Sequence, residues 1–211
     1  MSADGPMRTR LFRTMVFLAA VLLAACASKP PEVVKVFENP EAGAYSKVLV
    51  IGVTDDRGTR RGLEDKLTEA LTSAGVDATA GHTLTSDKIR LMKSEVNAAA
   101  EQAGADAILV THFVSTETRA TEEEGRSDVV SVCRSGDPAD YFLYDYDEIK
   151  VPNTLKVAHT VVAVSSLYDA SNGERLWSIQ STCFDKATFN DVLDEEARVI
   201  TRQLLNDGLV G

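Results

Sequence analysis

Lys47 to Val53 reads KVLVIGV, a short run of aliphatic, mostly β-branched residues, and it constrains the fold more than any other stretch. Such a run suits a strand buried on both faces, which in turn requires helices above and below the sheet. The residues that follow supply them. Thr59 to Gly75 carries Leu63, Leu67, Ala70, Leu71 and Ala74 at spacings of three and four, one face of a helix, with Gly75 as its stop. Val76 to Ala80 reads as a short strand. Ser86 to Gly104 reads as a second helix, with Ile89, Met92, Val96, Ala99 and Ala103 on its buried face, and Ala107 to Thr116 as the next strand. The first half is therefore β-α-β-α-β, and right-handed crossovers make it a small sheet covered by helices.

The second half has another rhythm. Leu155 to Tyr168 and Glu174 to Phe184 flank DASNGE, whose Asn172-Gly173 pair is a hairpin-turn signal. Phe189 to Asp207 closes the chain as a helix, with Leu193, Ala197, Ile200 and Leu204 facing inward. Between the halves, residues 117–151 are too acidic and aperiodic for a core element, and a long loop or an irregular β excursion is expected there. The fold class is α/β, turning α+β at its carboxyl half: one mixed sheet covered by helices.

At the amino terminus Arg8, Arg10 and Arg13 precede an uncharged run from Thr14 to Ala25. That is the layout of a secretory signal peptide, and the run is shorter than the roughly 20 residues a membrane-spanning helix needs. Met7 is an alternative start to Met1. Leu23-Ala24-Ala25-Cys26 resembles the lipobox of bacterial lipoproteins, which implies cleavage before Cys26, acyl chains on its thiol, and a lipid-anchored mature protein. Ala27 resembles the pattern sorted to the outer membrane. The expected organisation is a signal peptide over 1–25, a lipidated tether over 26–45 and a periplasmic domain over 46–211. Prolines 30, 31 and 40 favour an extended tether with a span of about 20 to 25 Å, although Val33, Val34, Val36 and Phe37 are apolar enough to pack on the domain.

Of 22 basic and 32 acidic residues in the chain, three arginines and Asp4 precede Cys26, which leaves 19 against 31 and a net charge of −12 on the mature 186 residues. Nucleic acid and anionic lipid are poor partners for that surface. With Cys26 given to lipid, Cys133 and Cys183 remain as a pair in an oxidising compartment. Joined, they would stabilise the fold by roughly 4 kcal/mol in the chain-entropy model. The alternative is two separate buried thiols.

Catalytic signatures are lacking. His82, His112 and His159 are scattered outside any His-Glu-x-x-His, and there is neither a Gly-x-Ser-x-Gly nor a phosphate loop. The expectation is a protein that is not an enzyme and needs no cofactor or metal. Two surfaces are candidates for binding. Asp55, Asp56, Arg60 and Arg61 lie where the first strand passes into the first helix, the end of an α/β sheet where ligands gather and where helix amides favour anions. Either the arginines pair locally with Asp55, Asp56, Glu64 or Asp65, or they meet an anionic ligand or an acidic partner. Tyr141, Phe142, Tyr144 and Tyr146, among five acidic residues, form the second candidate. Aromatics with a polar handle suit partner contacts, and they equally suit packing of a loop onto the hairpin.

KVLVIGV, the arginines opening the next helix, GADAILV (residues 104–110) and LYDASNGERLWS (residues 167–178) together resemble a family of bacterial envelope lipoproteins. The resemblance implies an α/β domain similar to the amino-terminal domain of the Tol-Pal translocation protein and to the core of the curli-secretion lipoprotein. It also implies a non-catalytic assembly or scaffolding role through an envelope protein partner. A ligand-binding lipoprotein with an anion site near Arg60 and Arg61 is the alternative, and a hydrolase the last.

Overall fold

The computed structural model describes residues 29–39, 42–86, 88, 91–123 and 154–211, and the backbone of 127–132 and 145–150. Six strands form one mixed sheet in the order β1-β8-β7-β4-β2-β3. They are β1 (Glu32–Glu38), β2 (Lys47–Val53), β3 (Asp77–Ala80), β4 (Ala107–Glu123), β7 (Thr154–Asp169) and β8 (Arg175–Lys186), while β5 (Ser127–Val132) and β6 (Asp145–Lys150) pair separately. The helices are α1 (Arg57–Ser73), α2 (Lys93–Ala103) and α3 (Phe189–Asn206). The β2, β3 and β4 ladders are parallel, and β4-β7, β7-β8 and β1-β8 are antiparallel. This is the expected class, an α/β half joined to an antiparallel half in one sheet.

Alternation along the strands assigns the two faces. Val48, Val50, Leu109, Leu167, Trp177 and Ile179 are buried beneath α1 and α3, which bring Leu63, Leu67, Leu71, Ile200 and Leu204 to them. On the other face Leu49, Ile51 and Ile108 meet Ala99 and Ala100 of α2. The two helices that share a face approach closely: a Cβ added to Gly62 would sit 2.9 Å from the Leu193 side chain. Trp177 is fully enclosed, and its indole N–H finds an acceptor in Asp207 at 2.7 Å, which removes the cost of burying that donor.

Three elements depart from the sequence reading. Glu32–Glu38, expected within the tether, is an edge strand hydrogen-bonded to β8, so the packing alternative for Val33 to Phe37 is the one realised. The second helix begins at Lys93 instead of Ser86, for a reason given below. The third departure is length: β4 and β7 run on together from Ala107↔Asp169 to Glu123↔Thr154, so the expected β excursion starts as a continuation of the sheet.

Candidate functional site

The carboxyl ends of β2 and β4 lie side by side because the two strands are parallel, with Val53 opposite His112. Beyond them Thr54, Asp55 and Asp56 lead into α1, and β4 takes an irregular step between Phe113 and Ser115. An extra residue of this kind bends a strand away from its neighbour. The result is a cleft of about 470 Å³ walled by Asp55, Asp56, His112, Ser115 and Phe189 among others. Phe113 and Phe189 meet edge to face at its base, with ring centroids 5.9 Å apart.

Asp56 is the N-cap of α1: its carboxylate accepts from the Thr59 amide at 2.7 Å, and that bond, with others from the first turn, holds its pKa below the usual range. Asp55 is exposed beside it. The cleft is thus bounded by two carboxylates, hydroxyls and aromatic rings, a lining for a cationic or hydroxyl-rich neutral group. His112, Ser115 and Thr116 line the cleft together, and no hydrogen bond joins them among the described residues.

Arg60 is not among the residues that wall this cleft, and of the two alternatives left open for it, local pairing is the one the structure shows, with Glu64. Its side chain is 4% exposed and its Nε donates to Glu64 Oε1 at 2.9 Å. Its two terminal nitrogens donate to the Lys88 carbonyl at 2.9 Å, the Ser86 carbonyl at 3.4 Å and Thr85 Oγ1 at 2.6 Å. Glu64 is itself fully enclosed and accepts four bonds: from Arg60, from the Gly52 amide at 2.9 Å, and from the His82 amide and Nδ1 at 2.5 and 3.0 Å. A buried charge survives only when paired and hydrogen-bonded, and this one is. The network ties the end of β2 and the start of α1 to residues 82–88. It also explains the late start of α2, since the carbonyls of Ser86 and Lys88, which a helix would use internally, are committed to Arg60. Instead Glu95 turns back to the Met92 amide at 2.8 Å and starts the helix there. Arg61, next in sequence and about 100° round the helix, is exposed, in keeping with its position.

Cys133, Tyr141 and Tyr144 lie outside the described residues. Tyr146 belongs to β6, where its backbone is opposite Ser131. Cys183 is a free thiol, fully buried between β8 and α3, and burial pushes its pKa well up.

Beside it lies a group that periodicity did not reveal. Glu196, on the inner face of α3, is fully buried; Oε2 accepts from Ser181 at 2.6 Å, and Oε1 has no partner. Burial pushes its pKa above the ordinary carboxyl value, more than the Ser181 and Cys183 bonds lower it. The native state therefore holds this proton more tightly than the unfolded chain does. The stability that Glu196 contributes is complete below the unfolded pKa and is lost as pH rises through the folded one. Glu196→Gln, neutral at every pH, is expected to gain about 1 to 3 kcal/mol over the parent at pH 8 and little at pH 4. Urea melts across that range measure it, and an equal effect at both ends would contradict the assignment.

No family model matches the sequence, and no curated protein does. Solved structures similar in part include PelC of Paraburkholderia phytofirmans, a dodecamer, at 15% identity over 81% of this chain and 96% of that one, TM-score 0.45. A second crystal form of PelC aligns at 14% identity over 86% and 99% of the two chains, TM-score 0.45. Lipoprotein GNA1162 of Neisseria meningitidis aligns at 16% identity over 76% of this chain and 99% of its own, TM-score 0.40. Likenesses of that strength assign no function.

Proposed function

We propose that this chain is a lipid-anchored lipoprotein on the periplasmic face of the outer membrane, acting without catalysis as an assembly or scaffolding module that receives a partner's strand along β1. The lipobox-like LAAC and the signal-peptide layout before it support the anchor, and among the described residues no helix is long and apolar enough to cross a membrane.

The observation that carries the binding role is the edge strand itself. β1 bonds to β8 on one side and ends the sheet on the other, which leaves a row of backbone donors and acceptors outward. Proteins usually guard such an edge with charge, often lysine. Here Lys35 reaches Glu38 and Asp207, each at 2.9 Å, so its charge is held against the end of α3. The valines are what stand out: Val33, Val34 and Val36 are 37, 50 and 57% exposed. Apart from the irregular step between Lys35 and Phe37, this edge presents three exposed valines, which suits strand addition by an extended peptide.

A photo-crosslinking residue at Val36 in cells is expected to join the chain to one envelope protein, and the same residue at the exposed Asp77, on the strand at the other edge of the sheet, to none. Val34→Lys with Val36→Lys should lose the wild-type complex while altering stability by no more than about 0.5 kcal/mol each, as exposed positions do. Crosslinks alike at both positions, or a complex indifferent to the lysines, would remove the edge from consideration. A ligand in the cleft is the second reading, and Asp55 and Asp56 make that ligand cationic or neutral.

A further inference from the structure

β2 and β4 part at the cleft. Their parallel ladder ends at Val53↔His112, where the chain of β2 turns through Thr54 and Asp55 towards α1, while β4 runs on beside β7 as far as Glu123. From Phe113 to Glu123, β4 therefore has β7 on one side and, among the described residues, no strand on the other. Residues along a strand turn their N–H and C=O alternately to its two neighbours, so every second residue of this stretch offers both groups to the open side.

The cleft is the near end of that open edge. Val53, Thr54 and Asp55 wall it from the side of β2, and Phe113, Ser115 and Thr116 from the side of β4. The β4 residues come from both faces of the sheet: Phe113 and Thr116 are opposite Ala163 and Val161, on the face beneath α3, and Ser115 is opposite Val162 on the other. A space walled from both faces at the end of a strand lies in the plane of the sheet. It is the place that a longer β2 would fill.

Charge selects what fills it instead. Asp55 and Asp56 stand at its start, and Glu117, Glu122 and Glu123 follow along β4, against Arg57 and Arg119. Arg119 is paired with Glu117 at 2.8 Å. Charge on an edge strand discourages indiscriminate pairing, and an acidic excess leaves a basic strand as the one that gains from the contact. The cleft has the Phe113 and Phe189 rings at its base and carboxylates at its rim, which suits a long basic side chain with its hydrocarbon stem on the rings and its charged head beside the acids.

We infer that an extended basic segment of a partner protein adds to β4 from Phe113 towards Glu123, along the line that β2 leaves, and places a lysine or arginine side chain in the cleft. This rests on the second reading above, a cationic ligand in the cleft, and is separate from the β1 edge, since β8 and β7 stand between β1 and β4. Main-chain hydrogen bonds supply the affinity and the acidic rim supplies the choice of strand.

The probe is a fluorescein-labelled decapeptide of alternating lysine and threonine, titrated at low salt against the full chain in detergent and followed by anisotropy. One control replaces lysine with glutamate; the other is the lysine peptide N-methylated at every amide, which keeps the charge and has no backbone donor. The lysine peptide is expected to bind at least about tenfold more tightly than either control. Asp55→Asn with Asp56→Asn, which retains a helix cap, should weaken it about tenfold at an unchanged melting temperature. Amide exchange over 115–121 should slow on binding, and exchange over 32–38 should not. The β1 variant Val34→Lys with Val36→Lys should bind the peptide as the parent does. Equal affinity for the N-methylated peptide overturns strand addition and leaves the cleft with a simple cation. Loss of binding in the β1 variant, or slowing over 32–38 alone, overturns the site on β4 in favour of the other edge. Slow exchange over 115–121 without peptide that deepens with protein concentration overturns it in favour of a second copy. A lysine peptide that does not bind overturns the inference and leaves the β1 reading standing.

Discussion

Arg60→Ala lowers the stability of the domain by about 3 to 5 kcal/mol, the usual consequence of removing one partner of a buried ion pair. Glu64 keeps the Gly52 and His82 donors but loses the cation that balances it, in a place where its own exposure is 0%. The Ser86 and Lys88 carbonyls lose their donor as well, so the segment that leads to α2 is released with the same substitution. In a domain of this length the melting temperature should fall by about 10 °C. Arg61→Ala, one residue on and exposed, should change stability by less than ~0.5 kcal/mol. Arg60→Met with Glu64→Leu should cost less than either buried single change, because an apolar pair of similar volume leaves no charge stranded. Thermal and urea melts of the four variants, Glu64→Leu alone being the fourth, check this. An Arg60→Ala protein that melts within a degree or two of the parent would mean that the network does not carry the end of β2.

The two arginines also show where a sequence stops being informative. Adjacent residues on a helix point in different directions, so it was legible that one of the pair would face out. Which of them turned inward depended on Glu64 being one turn along on the buried stripe and on residues 82–88 returning across the helix, a long-range fact. The helix expected from Ser86 failed for the same reason: its apolar spacing was right, but its first carbonyls serve Arg60.

The main elements of the fold were legible because KVLVIGV, the Leu63 to Leu71 stripe and the hairpin around Asn172-Gly173 state their periods locally. β1 was not, since EVVKVFE lies between prolines and reads as tether until β8 supplies a partner, and an edge strand tolerates such flanks. Glu196 was invisible for a different reason. A glutamate in a helix is ordinary, and only its position opposite Ser181 and Cys183 makes it a buried acid. The resemblance to the Tol-Pal and curli-secretion domains stands as an expectation carried by weakly specific motifs.

Removal of the anchor is expected to have the most complete effect of any single substitution. Two or three acyl chains on Cys26, as proposed, would hold the protein on a bilayer firmly, at about 0.8 kcal/mol per buried methylene. Cys26→Ser should therefore move the protein from the membrane fraction to the soluble periplasmic fraction while leaving its melting temperature unchanged, since Cys26 precedes every strand and helix of the domain. Fractionation of cells that express the two forms, with a salt wash before the membranes are pelleted, measures this directly. The account predicts that wild-type protein stays in the washed membranes and that the serine form is recovered in the supernatant. A serine form that remains with the washed membranes in wild-type amount would contradict it.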